Sequence, residues 1–272
     1  MALNTKDIQL QYEGFLNTPV LWKGDNIYNL KQLELNPIPN AGFEGTITKN
    51  LRLGKRVERF VSNQLQQYSQ ISILTENTQI QNGTTTVGEI DFILQISQTP
   101  IHLEVIYKFY LYDETVGNSE LDHWIGPNKK DSLVEKLTKL KNKQLPLLYN
   151  SYTIPLLKKL QLDFSKIEQE VYFKAQLFIP FHMENINFEY INTNCIKGFY
   201  IHYDDLEQFK LCKFHIPSKI NWLQEIQINL NWLTYEKFSS KVISILNQET
   251  SPLCWMKKPN GEVIKFFITW WK

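Results

Sequence analysis

Three acidic side chains occur at spacings that let them meet. Glu89 and Asp91 stand two residues apart in the alternating run at 87–96, and Glu104 lies in the run Ile101 to Tyr112 that follows. Alternate residues of a strand share a face, so Glu89 and Asp91 point the same way. Ser97-Gln98-Thr99-Pro100 reads as the turn between the two runs. A tight hairpin centred between Ser97 and Gln98 sets Asp91 opposite Glu104, with Cβ atoms about 4.5–5.5 Å apart. Like charges so placed repel unless a cation lies between them. Mg²⁺ (or Mn²⁺) takes oxygen donors of this kind, activates water and stabilises charge on a phosphodiester. Lys108 shares the face of Glu104 and adds positive charge near a scissile phosphate. The competing reading is a set of solvent-facing acids on an ordinary strand pair.

The surrounding elements are legible from periodicity. A short helix is expected near Asp7 to Phe15, and Asn36-Pro37-Ile38-Pro39-Asn40 breaks regular structure. In Asn50 to Tyr68, Leu53, Val57, Phe60, Val61 and Leu65 recur at helical spacing. Strands are expected at Ile71 to Gln81, closed by Asn82-Gly83, then at Val87 to Ile96 and Ile101 to Tyr112. A second helix is read from Asn128 to Leu148 with Leu133, Leu137 and Leu140 on its stripe, and Pro146 ends or kinks it. Further on come a helix at 154–162, strands at 174–180 and 198–203, a helix at 238–249 and a closing hairpin around Pro259-Asn260-Gly261. The order is helix, three strands, helix, then a mixed α+β half.

Composition narrows the classes. A chain of 272 residues, 43% hydrophobic and 21% charged, is long enough to bury a core without disulfides. Lys and Arg number 29 against 28 Asp and Glu, so a uniformly basic nucleic-acid coat is excluded and a local basic groove is not. The cysteines Cys195, Cys212 and Cys254 form no Cys-x-x-Cys pair, which argues against a disulfide framework and a thiolate zinc site. The start MALNTKDIQLQYEGF holds no apolar h-region, and no run of about 18 apolar residues occurs; the expectation is a cytoplasmic protein without a membrane span. The tryptophans Trp222, Trp232, Trp255, Trp270 and Trp271 read as packing aromatics.

A helix with Gly54-x-x-x-Glu58, a strand with Gly88-Glu89-x-Asp91, and a strand with Glu104 and Lys108 together resemble the PD-(D/E)XK nuclease superfamily. The resemblance implies an α/β/α sandwich-like α+β core over residues 50–150. It is preceded by an N-terminal segment at 1–49 and followed by an α+β extension at 151–272. It implies that Asp91 and Glu104 are the two motif acids, that Glu58 is the helix acid, and that Glu89 is the extra acid of the GE-x-D variant. The family lysine belongs two residues after the second acid, where this chain has Ile106; Lys108 lies two further on. At about 3.3 Å per residue Lys108 starts roughly 13 Å from Glu104 and must reach back, or another cation replaces it, with Lys55 and Lys129 as candidates. More narrowly, LGKRVERF, VGEIDFIL, IHLEVIYKFYL, WIGPNKKDSLVEKLTKLKNKQLPLL, KGFYIHY and KINWL are similar to a bacterial family catalogued only as a domain of unknown function (number 1853).

Basic residues gather beside both helices: Lys49, Arg52, Lys55, Arg56 and Arg59 at the first, Lys129, Lys130, Lys136, Lys139, Lys141 and Lys143 at the second. They read as a phosphate-binding surface or as solvated helix faces balanced by Asp131 and Glu135. Asn128 with Lys129 and Lys130 enters a helix N-terminus, an anion site or a capped turn. His102 and His123 are candidate bases or ligands, or structural histidines. The expectation is a Mg²⁺- or Mn²⁺-dependent nuclease acting on nucleic acid, DNA foremost. Asp91, Glu104 and Lys108 are catalytic in it, and Glu58, Glu89, Asp91 and Glu104 hold metal. Lys55, Arg59, Asn128, Lys129 and Lys130 meet nucleic acid. The rivals are an inactive nuclease-fold module that binds nucleic acid and a protein-interaction partner.

Overall fold

The computed structural model describes residues 5–39, 41–48, 51–183 and 187–272. Asn40, Lys49 and Asn50, which belong to the proline-flanked break, the basic patch and the first periodic segment, lie outside the described residues. The helices are α1 (Thr5–Leu16), α2 (Leu53–Leu65), α3 (Leu133–Lys139), α4 (Ile154–Lys159) and α5 (Tyr235–Leu246). The strands are β1 (Ile71–Asn82), β2 (Thr85–Ile96), β3 (Thr99–Tyr112), β4 (Trp124–Ile125), β5 (Glu168–Pro180), β6 (Ile196–His202), β7 (Lys213–His215), β8 (Leu253–Lys257) and β9 (Val263–Thr269). The class is mixed α+β, as the order of sequence patterns implied. Among the described residues no helix is long and apolar enough to cross a membrane.

The residues group into two compact units, Val20–Tyr107 with Glu135–Lys174, and Met1–Pro19 with Lys108–Val134 and Ala175–Lys272. Neither follows the expected borders at 49/50 and 150/151. Backbone pairing explains the difference for the first unit: Leu21 N–H donates to Phe173 O and Leu33 N–H to Val171 O, both at 2.8 Å. Those bonds tie the irregular N-terminal stretch to β5, whose first half therefore joins the acidic hairpin.

In this first unit β1, β2 and β3 form an antiparallel meander. The β2–β3 ladder pairs Ile96 with Thr99 and runs to Phe92 with Leu103, the register read from the turn. The stripe Val57, Phe60, Val61 and Leu65 of α2 is buried, which is what makes a helix of this polarity fold (about 1.5–3 kcal/mol for each large side chain). Ile80, Ile90, Ile93, Leu147, Leu148, Leu157 and Ile167 form a further core cluster. Most of β3 is buried, on both faces, so its polar face does not meet solvent as a two-sided antiparallel strand would.

The second expected helix starts late and changes pitch. α3 begins at Leu133, and Leu140–Gln144 is a π turn followed by a 3₁₀ turn at Leu145–Tyr149. Lys129 holds a left-handed conformation at φ +54°, which an α-helix through Asn128 would not admit. Pro146 stands at the start of the 3₁₀ turn, where its missing N–H costs nothing.

In the second unit β5, β6 and β9 run parallel, and β8 and β7 continue antiparallel from β9. Phe199, Phe214, Phe238, Val242, Met256 and Phe266 lie in its core, with Phe214 stacked on Phe238 at 4.3 Å. Trp222, Trp255 and Trp271 are buried, as packing aromatics should be; Trp124 is buried as well.

Candidate metal centre

The first unit carries Lys55, Glu58, Arg59, Glu89, Asp91 and Glu104; Lys108, Asn128, Lys129 and Lys130 belong to the second. One carboxylate oxygen from each of Glu58, Glu89 and Asp91 lies within 4.8 Å of the others. α2 supplies Glu58 and β2 supplies the other two. The sharing of one face by Glu89 and Asp91 follows from strand alternation, and the arrival of Glu58 follows from its place at the flank of the buried stripe of α2, where its side chain is only 12% exposed. Asp91 is nearly buried, which removes the solvent-facing reading for that acid.

Gly88, the residue before Glu89, lies against Leu147 of the core cluster. A Cβ there would stand 2.7 Å from Leu147 Cδ2 and 3.3 Å from Cδ1. Gly88→Val is therefore expected to cost about 1–3 kcal/mol by overpacking, read as a fall in the urea midpoint at unchanged slope. Gly54 is different: a Cβ there meets nothing within 4 Å.

Glu104 is close by but differently engaged. It is fully buried, and both of its oxygens accept hydrogen bonds: Oε1 from His102 Nε2 at 3.1 Å and Oε2 from Gln144 Nε2 at 2.5 Å. Gln169 Nε2 donates to His102 Nδ1 at 3.0 Å, which leaves the imidazole proton on Nε2 and assigns the tautomer by its partners. Lys136 Nζ donates to Gln144 Oε1 at 2.7 Å. A chain of side chains thus runs Gln169, His102, Glu104, Gln144, Lys136. His102 is a structural link in it. Gln144 was missed by sequence reading, yet it falls on the apolar stripe four residues after Leu140. A glutamine there signals a buried polar partner.

Burial pushes the Asp91 carboxyl up to about 8, with the negative charge of Glu104 the next cause; the Val105 N–H, donating to Asp91 Oδ2 at 2.9 Å, pulls the other way. Burial also raises Glu58, while the hydrogen bond from Lys55 opposes it. A cation entering must displace the Asp91 proton. Mn²⁺ affinity is accordingly expected to rise about tenfold per pH unit up to about pH 8 and then level off; calorimetry in buffers of different ionisation enthalpy reads the released proton directly.

Lys55 comes from α2 into the same cluster. Its Nζ donates to Glu58 Oε2 at 2.7 Å, to Asn77 Oδ1 at 3.0 Å and to Glu89 Oε1. Burial acts to lower its pKa, and the hydrogen bonds to Glu58 and Glu89 outweigh that, holding it above its ordinary value. Asn77 has a left-handed backbone, φ +50°, a conformation Asn tolerates better than most residues. The pairs Glu76 with Phe92 and Thr78 with Ile90 place it across from Asp91. An Asn inside the run Ile71 to Gln81 was the available signal for this residue.

Most of the remaining expected contacts are engaged within the molecule. Lys108 donates to Asp131 Oδ2 at 2.5 Å rather than reaching back along β3. Asn128 is no helix cap; its Oδ1 accepts from Ser251 N–H at 2.8 Å. Lys129 lies 3.5 Å from Asp113 and 3.9 Å above the Trp271 ring. Arg59 pairs with Glu76 at 3.0 Å, and Lys130 is exposed. His123 Nδ1 bonds Val116 O at 2.7 Å, a structural contact.

The donor set fits a hard divalent ion: three carboxylates, one buried, converge with an ammonium already among them. A family model described as Domain of unknown function (DUF1853) matches residues 17–265 of the chain. No curated protein matches it. No solved structure matches it either.

Proposed function

We propose, from the premise that this chain belongs to the family described as Domain of unknown function (DUF1853), that it is a divalent-metal-dependent nuclease of the PD-(D/E)XK type. Its substrate is nucleic acid, DNA foremost, and its compartment the cytoplasm. The observation that carries the reading is the convergence of Glu58, Glu89 and Asp91 within 4.8 Å. These three would hold Mg²⁺ or Mn²⁺, which when bound supplies an activated water and charge stabilisation at phosphorus. Glu104 sets the negative potential behind Asp91, and its own position is held by His102 and Gln144. Exposed Lys139 and Lys143 of the same unit suit contacts to a phosphate backbone.

The test is cleavage of plasmid, single-stranded and branched DNA with Mg²⁺ or Mn²⁺, wild type against Asp91→Asn. Metal-dependent cleavage lost in the variant supports the proposal; equal cleavage by both chains removes it. A second reading, a nuclease-fold module that binds without cutting, is favoured by Lys55, which pairs with both Glu58 and Glu89 from within. Nucleic-acid binding without any heat of Mn²⁺ binding would select it.

A further inference from the structure

We infer that Lys55 is an exchangeable counterion: without metal its ammonium stands where the divalent ion is to sit, and metal entry releases it toward the anionic substrate. The inference rests on the nuclease reading for its metal. An ammonium has three donors, and Glu58, Glu89 and Asn77 take all three. Two of those acceptors belong to the three-acid cluster. The ion and the ammonium therefore draw on the same two carboxylates, and as like charges they compete for them.

The side chain is built for the exchange. Lys55 lies one turn before Glu58 on α2, so both emerge from one rigid element. Its side chain is 42% exposed, which leaves room for the four-carbon stem to swing outward while α2 stays in place. Position 106, where the resemblance places a lysine, is a buried isoleucine, and Lys108 is bonded to Asp131. Lys55 is thus the cation that the cluster itself carries. A released ammonium beside an occupied metal site would face the phosphate that the metal attracts.

The experiment titrates Mn²⁺ into the full chain by calorimetry, comparing wild type with Lys55→Met and Lys55→Gln. With the internal competitor removed, both variants are expected to bind Mn²⁺ about tenfold more tightly. A second measurement needs no variant. Acylation of wild-type lysines by an N-hydroxysuccinimide ester, read by mass spectrometry, is expected to modify Lys55 several-fold faster with saturating Mg²⁺ than without. Affinity equal to or weaker than wild type in folded variants overturns the exchange, as does labelling that Mg²⁺ leaves unchanged. Failure of all three chains to bind Mn²⁺ removes the metal reading itself. Wild-type binding with no gain in the variants removes only the role of Lys55.

Discussion

Asp91→Asn is expected to abolish metal-dependent cleavage, by about 10³-fold or more, and at the same time to stabilise the fold. The two effects have one cause. Asp91 is buried beside the charge of Glu104, with its carboxyl pushed up to about 8. An acid raised in the folded state binds a proton that the unfolded chain has released. Its contribution is therefore complete below the unfolded value of 3.8 and is lost as pH rises from about 4 to about 8. The amide has no charge to bury, and its Oδ1 can still accept the Val105 N–H that now meets Oδ2. At about 1.4 kcal/mol per pH unit across that interval, the variant should gain about 5 kcal/mol over wild type at pH 8 and nothing below about pH 4. Urea unfolding of both chains across that range reads the difference. A variant equally active, or less stable at pH 8, would contradict this account of Asp91.

Glu104→Ala is expected to do the opposite to stability while also ending activity. Glu104 has 0% exposure and two donors aimed at it, from His102 and Gln144. Truncation leaves both donors buried and unpaired, and removes the link that joins Gln169 on β5 to Lys136 on α3. The cost is about 3 kcal/mol. Glu104→Gln should cost less, about 1–2 kcal/mol, because one amide oxygen still accepts from Gln144 while the amide nitrogen meets the His102 Nε2 proton. The order wild type, Glu104→Gln, Glu104→Ala in urea midpoint is the expected result. Two neighbouring acids thus differ in sign: Asp91 is held against its own burial, whereas Glu104 is surrounded by the donors it needs.

Periodicity and turn chemistry carried much of this protein. The alternation of 87–96 and a tight turn centred between Ser97 and Gln98 determined the β2–β3 register, and with it which acids share a face, because side chains on a strand repeat every two residues and a tight turn leaves no slack. The apolar stripe of α2 likewise determined its buried face. These are local quantities, summed over neighbours in the chain.

Contacts between distant segments were decided only by the tertiary structure. Nothing local told that Leu21 and Leu33 would pair with β5, which is why the compact units do not follow contiguous borders. Nothing local placed Lys55 rather than Lys108 among the three acids, since a lysine's four-carbon stem reaches whichever carboxylate the folded backbone brings near, and here that was Asp131 for Lys108. The protonation of Asp91 belongs to the same class. Its residue type was legible, but its pKa depends on how much water β3 and its neighbours exclude and how closely Glu104 approaches, and both exist only once the chain is packed.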